Sequence, residues 1–197
     1  MHKELTYYDI IMKANQSDIN ELSICTLPDG YKYKMYEDGD EKYWCELETK
    51  VGEFDNINLA HDYFNRVFMP YKSILNQRMI FITYDDNIVA TASAWFKDSD
   101  SMHFPLLHWV STDPIHQGKG LAKAAVIYAL KKICELDSND AIYLHTQTWS
   151  YDAVGLYVKL GFKITDEPLI DTVTDFKCLA EMKPYLRDDI YQLLIRK

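Results

Sequence analysis

The chain has 197 residues, of which 48% are hydrophobic and 14% aromatic, and a formal net charge of −9. That length and apolar content suit one globular domain with a sizeable core. The acidic balance argues against nucleic acid as a partner, since phosphate contacts need clustered Lys and Arg, and no apolar run reaches the ~18 residues of a membrane span.

Residues 1–29 form an N-terminal extension without an apolar signal core, with a short strand predicted around Ile10-Ile11-Met12. Gly30 to Tyr36 alternates and reads as a strand. Asp38 with Glu41 has the spacing of a capping box opening a helix through Tyr43, Trp44, Leu47 and Val51, broken by Gly52-Glu53-Phe54. Ile57 to about Phe68 predicts a second helix, ended near Pro70. Residues 78–84 and 88–96 flank Asp85-Asp86-Asn87, which reads as the turn of an antiparallel hairpin. A strand ending at Val110 follows, then a helix from Gly118 to about Leu136, a strand near 141–148 and a short helix containing Tyr157. Residues 162–165 read as a strand and Asp175 to Leu186 as a helix. Residues 189–196 read more readily as a last strand than as a terminal helix. With no repeat or linker, the expectation is one domain over 1–197, with a core at about 30–165 and a C-terminal segment at 166–197.

The four cysteines (Cys25, Cys45, Cys134 and Cys178) are far apart, and the six histidines show no ligand spacing. Thiols in a reducing cytosol, with no metal, are the expectation. His103 and His108 differ by an odd number and face opposite ways on a strand.

The most informative stretch is Asp113 to Ala122 (D-P-I-H-Q-G-K-G-L-A), between the strand ending at Val110 and the long helix. A glycine-rich strand-to-helix turn exposes backbone N–H groups, with no Cβ to hold an anion away, and the helix dipole adds to the attraction. From Gly118 to Cys134 there is no Asp or Glu, while Lys119 and Lys123 sit in the first turns. A helix with lysines at its own positive end is suited to an external anion such as a phosphate. The Walker loop fails, because Asp113 stands at its first Gly and Gly120 at its Ser or Thr; the dinucleotide pattern G-x-G-x-x-G fails at Lys123.

What does fit is Gln117-x-x-Gly120-x-Ala122, which resembles the [RQ]-x-x-G-x-[GA] pyrophosphate loop of the GNAT superfamily of acetyl-CoA-dependent N-acetyltransferases. A second stretch, Ser150 to Phe162 (S-Y-D-A-V-G-L-Y-V-K-L-G-F), resembles that family's N-x-x-A-x-x-L-Y-x-K-x-G-F motif, with Ser150 in place of Asn. Read physically it is a helix with Ser150 at the N-cap, Gly161 past the C-terminus, and Ala153, Leu156, Tyr157 and Leu160 on one inward face. The resemblance covers roughly residues 78–165.

The resemblance implies an α+β fold, a mixed, mostly antiparallel sheet flanked by helices in three layers. It implies acetyl-CoA as co-substrate, lying between the strand ending at Val110 and the one near 141–148. The backbone of Val110, Ser111 and Thr112 would pair with the pantetheine arm, amides of Gln117, Gly118, Lys119, Gly120, Leu121 and Ala122 would hold the pyrophosphate, and Ser150 would reach the cofactor. Tyr157 matches the family's tyrosine near the sulfur. The implied reaction is direct attack of a primary amine, from a small molecule or a peptide, on the thioester. The alternatives are a non-catalytic acetyl-CoA sensor and a transferase using a longer acyl-CoA. A homodimer is left open. Glu53, Glu46 and His108 compete as general base, and the residues alone do not choose among them.

Overall fold

The computed structural model describes residues 3–99 and 102–195. Its strands form one seven-stranded sheet in the order β2-β3-β4-β5-β6-β1-β7. The strands are β1 (Asp9–Asn15), β2 (Tyr31–Met35), β3 (Met79–Tyr84), β4 (Asn87–Asp98), β5 (His103–Thr112), β6 (Ala141–Gln147) and β7 (Lys163–Ile164). The helices are α1 (Gln16–Asn20), α2 (Glu41–Lys50), α3 (Ile57–Val67), α4 (Lys72–Arg78), α5 (Leu121–Leu136), α6 (Tyr151–Lys159), α7 (Lys177–Met182) and α8 (Asp188–Leu194). The described residues divide into two compact units, one comprising Ser23–Trp95 and Leu107–Leu136 and the other the remainder.

In the first unit β2 pairs antiparallel with β3, and β3 with β4. The β3–β4 turn has Asp85 and Asp86 at φ 47° and 61°, the left-handed pair that a two-residue hairpin requires and that short polar side chains tolerate. Helix α2 buries Trp44, Cys45, Leu47 and Glu48. Trp44 anchors a cluster with Phe64, Phe68, Phe81 and Trp95, on which Phe54, Tyr63 and Trp109 pack half-buried. The expected capping box does not form. Asp40, not Asp38, precedes α2, and its carboxylate accepts from the Glu37 amide and from Lys34. Glu41 instead accepts from the Gly39 amide and the Tyr36 hydroxyl, both at 2.9 Å, so partners across the turn displaced the reciprocal cap. Helix α3 is capped by Asn56, whose side chain accepts from the amides of Asn58 and Leu59. Arg78, expected in a strand, closes α4 and donates to the Ala94 carbonyl at 3.0 Å.

In the other unit β1 pairs in full antiparallel register with β6, from Asp9↔Gln147 to Asn15↔Ala141, and its opposite edge takes β7. The short strand expected near Ile10 is thus seven residues long and interior to the sheet. Ile10, Ile11 and Met12 are all fully buried, a continuous apolar run that suits a strand covered on both faces. The segment at 189–196 is a correction. Residues Asp188–Leu194 form α8, not a last strand, because Ile190 and Leu194, four apart, bury one helical face, with Ile190 against α6 at Gly155; Arg196 lies outside the described residues.

Candidate active site

The phosphate-loop candidate belongs to the first unit. Asp113 follows β5, which ends at Thr112, and is buried. Its amide donates to the Val89 carbonyl at 2.8 Å, and its carboxylate accepts from the Ile115 amide at 3.1 Å and from Lys50 Nζ at 2.6 Å. Burial alone would raise its pKa, but the Lys50 hydrogen bond and the Ile115 amide together hold it below the usual carboxylate range. It therefore stays charged and ties the start of the loop to α2 and β4. Pro114–His116 makes one 3₁₀ turn, and Tyr31 Oη lies 2.8 Å from His116 Nδ1.

Beyond that turn Gln117, Gly118, Lys119 and Gly120 are all exposed. Gly118 and Gly120 have φ 76° and 77°, and a Cβ on either would meet nothing within 4 Å. The glycines thus solve a backbone problem and leave open space beside the loop. Helix α5 begins only at Leu121, three residues later than expected, because two left-handed residues cannot lie inside a right-handed helix. The N–H groups of its first turn have no acceptor within the helix, and no acidic side chain lies in that turn. Leu121 is buried and anchors the helix start, and Ala122 is half-buried beside it. The Gln117 side chain turns back to the Thr112 carbonyl at 3.3 Å, and Lys119 Nζ to the Ile115 carbonyl at 3.3 Å. What the loop offers outward is backbone.

At the end of β5, Val110 and Thr112 are half-buried, while Ser111 is buried and donates from Oγ to Glu48 Oε2 at 2.8 Å. Two residues earlier Trp109 sits at φ 47°, a left-handed backbone costing on the order of 1–2 kcal/mol for a residue with a side chain. Trp109 Nε1 donates to Tyr63 Oη at 3.0 Å, and Tyr63 Oη lies 3.3 Å from His108 Nε2. Phe54 stacks on Trp109 with ring centroids 5.3 Å apart. The strained residue and its hydrogen bond thus join an aromatic cluster of Phe54, Tyr63 and Trp109 packed on Trp44 of α2.

The three candidate bases separate. Glu46 is exposed and lines a cavity of about 370 Å³ with Lys50, Asp113 and His116. Glu53 is half-buried, and its amide donates to the Glu48 carbonyl at 3.0 Å. His108 is engaged with Tyr63. The fully buried carboxylate of α2 is instead Glu48, which sequence reasoning passed over. Its residue exposure is 0%, Oε2 accepts from Ser111, and Oε1 meets no hydrogen-bond donor among the described residues. Burial pushes its pKa up to about 8, the Ser111 hydroxyl pulls it down and Glu53 raises it further. A signal existed, because Trp44, Leu47, Glu48 and Val51 follow i, i+3, i+4, i+7, which puts a charged residue on the inward stripe.

In the other unit α6 carries Tyr157, which is 6% exposed and packs against Phe162 at 6.1 Å between ring centroids. Ser150 precedes the helix without a side-chain cap; its Oγ accepts from Gln147 Nε2 at 3.2 Å. The expected inward face is corrected in part. Tyr157 and Leu160 are buried, but Val154 and Val158 join them, while Ala153 and Leu156 are half-buried. Gly161 has φ 96°, as a residue closing a helix should. Among the described residues no cluster of His, Cys, Asp and Glu could hold a metal ion, and no helix is long and apolar enough to cross a membrane.

The chain and its fold match one known family. The model of the acetyltransferase (GNAT) family matches residues 28–162, more than half of the chain, and the chain belongs to that family. Among solved structures, a GCN5-related N-acetyltransferase from Sphaerobacter thermophilus superposes with a TM-score of 0.61 at 15% identity, over 82% of this chain and 49% of that one. A tandem GNAT protein from the clavulanic acid biosynthesis pathway gives 0.60 at 11% identity, over 79% and 49%. A GNAT-family acetyltransferase from Colwellia psychrerythraea gives 0.59 at 12% identity, over 81% and 54%. The chain spans about half the length of these structures, and at such identities the likeness is one of fold. Among curated proteins none is similar enough in sequence to match.

Proposed function

We propose that this chain is an N-acetyltransferase that moves an acetyl group from acetyl-CoA to a primary amine of a small molecule or peptide by direct attack. The observation that carries the reading is the loop from Gln117 to Ala122. Two left-handed glycines with open space above them lead into a sixteen-residue helix whose first turn lacks acidic side chains. That arrangement suits a pyrophosphate. The amides of Gln117 through Ala122 bind it, and the backbone of Val110 to Thr112 pairs with the pantetheine arm. Tyr157 hydrogen-bonds the departing thiolate, and Ser150 gives a further cofactor contact.

The chemistry sets two demands. An amine of pKa ~10.4 is neutral about once in 2,500 molecules at pH 7, a deficit of roughly 4.6 kcal/mol that the enzyme must offset. The thiolate, whose conjugate acid titrates near ~8.5, is roughly 2 kcal/mol too weak a base to take the proton of a phenol of pKa ~10 outright. Tyr157 therefore acts mainly through a hydrogen bond that strengthens as charge develops on sulfur.

The test is free-thiol release from acetyl-CoA over a panel of amines, with donor binding measured alongside. Thiol release that depends on an amine, with acetylated amine recovered, is the expected result. Donor binding without thiol release across the panel would replace this reading with that of a sensor.

A further inference from the structure

Glu48 is the fully buried carboxylate nearest the proposed chemistry, and its surroundings are wrong for a structural ion. A carboxylate kept inside a protein for architecture is held by a guanidinium, an ammonium or several N–H donors. Glu48 receives one hydroxyl, from Ser111, and its second oxygen meets no donor among the described residues. The groups facing it supply no cation. Beyond its own helix it meets Ser111 of β5, the Glu53 carboxylate and Tyr63 of α3. Burial raises the Tyr63 phenol, against the opposing hydrogen bond from Trp109, so Tyr63 stays neutral. Ser111 belongs to the end of β5 assigned above to the pantetheine arm, so its hydrogen bond ties the buried carboxylate to that strand.

We propose that Ser111 and Glu48 form the proton relay of the transfer, with Ser111 Oγ receiving the amine proton while its own proton passes to Glu48 Oε2. The inference rests on the N-acetyltransferase reading. The step balances. The bound ammonium gives its proton to Ser111 as the Ser111 O–H bond is exchanged for a new one, and Glu48 ends neutral. The amine freed in this way bonds to the acetyl carbon, the C–S bond of the donor breaks, and the departing thiolate takes the extra proton the nitrogen still carries, leaving amide and free thiol. After product leaves, the proton returns outward along the same path. Ser111 is the catalytic residue here, because it touches the amine; Glu48 acts through it and is a positioning residue and proton sink. Burial suits that sink, because a carboxyl that titrates near 8 holds a proton more readily than an exposed one and still ionises close to neutrality.

The experiment is the pH dependence of kcat and kcat/KM from pH 6 to 10, with two acceptor amines of different pKa and with acetyl-CoA binding measured separately. The wild type should show one rising limb near pH 8 that does not move with the acceptor. Glu48→Gln should lower kcat by about 10²–10⁴, the usual range for a positioned proton-transfer group, and erase that limb while leaving acetyl-CoA affinity within a few-fold. Ser111→Ala should lower kcat and move the remaining limb to higher pH, because the hydroxyl that favours the charged carboxylate is gone. Ser111→Thr keeps the hydroxyl and should recover the limb. Turnover by the wild type, with Glu48→Gln keeping an unchanged limb, would overturn the relay alone. So would Ser111→Ala with both rate and limb unchanged, or variants whose only change is a lower unfolding midpoint. A wild type that releases no thiol with any amine removes the transferase reading, and the relay with it.

Discussion

Tyr157 is the residue whose hydroxyl and ring can be told apart by one atom. The ring is buried against Phe162, so Tyr157→Phe keeps its packing and removes only the hydroxyl proposed to bond the thiolate. The expected outcome is a kcat lowered by about 10²–10⁴ with acetyl-CoA affinity within a few-fold. Steady-state kinetics with saturating amine, beside a thermal melt, separates this from a packing role. Near-wild-type turnover excludes the hydroxyl from the chemistry, and a lost fold marks the residue as core. The motif around Tyr157 was readable in the linear sequence. Glu48 was not, because a glutamate on an amphipathic helix is solvated far more often than buried. Only the assembled fold, which leaves it 0% exposed with Ser111 as its hydrogen-bond partner, shows that this one has no water to face.

At the scale of elements, the loop before α5 and the terminal helix α8 make separate claims. Gly120 has φ 77° with open space at its Cβ, so Gly120→Val should still fold, at a backbone cost of roughly 1–2 kcal/mol. A branched side chain over the loop should deny the pyrophosphate at least two amides, each worth ~1.5–3 kcal/mol to a charged group, and weaken coenzyme A by about 10²-fold or more. Calorimetric titration with coenzyme A checks this, and unchanged affinity would move the phosphate site elsewhere. For α8, Ile190 is 4% exposed and Leu193 38%. Ile190→Ala should therefore cost about 2–4 kcal/mol in urea unfolding, and Leu193→Ala less than about 0.5 kcal/mol. A strand over the same residues would put Ile190 and Leu193 on opposite faces and set Ile190 beside Gln192, an unlike pair for burial. The hairpin of β3 and β4 needed no such arbitration, because Asp85-Asp86 between two apolar runs states its own turn.

For the molecule as a whole, the buried carboxyl should appear in the pH dependence of stability. Glu48 titrates near 8 when folded, against 4.5 for the ordinary group, so between those values the folded state binds a proton that the unfolded state has released. Its contribution is fully present below about pH 4.5 and is lost as pH rises through about 8. Asp113 runs the other way, since its depressed pKa favours the fold until acid protonates it. Urea unfolding of the wild type should therefore weaken between pH 5 and 8.5 by a few kcal/mol. Glu48→Gln, which carries no charge to desolvate, should flatten that decline and exceed the wild type in stability at pH 8.5. Parallel curves for the two proteins would mean that Glu48 is charged throughout or meets water in solution.

The linear sequence by itself determined what depends on neighbours along the chain. It placed two glycines where the backbone must turn left before α5, and it withheld acidic residues from that helix's first turn. It set the spacing of the Tyr157 motif, and through these the family and the fold. Tertiary structure decided what depends on competition between distant segments. Strand β1 lies between β6 and β7 because three consecutive buried residues, Ile10 to Met12, need cover on both faces. Residues 188–194 became a helix because α6 offered Ile190 a glycine to lie against. Asp38 and Glu41 did not cap each other because Tyr36 and Lys34 drew Glu41 and Asp40 into other bonds. Glu48 became a buried acid because α2 packs its inward stripe against β5, where Ser111 meets it. In each case period and spacing report which way a side chain points, and only the assembled fold determines what it meets there.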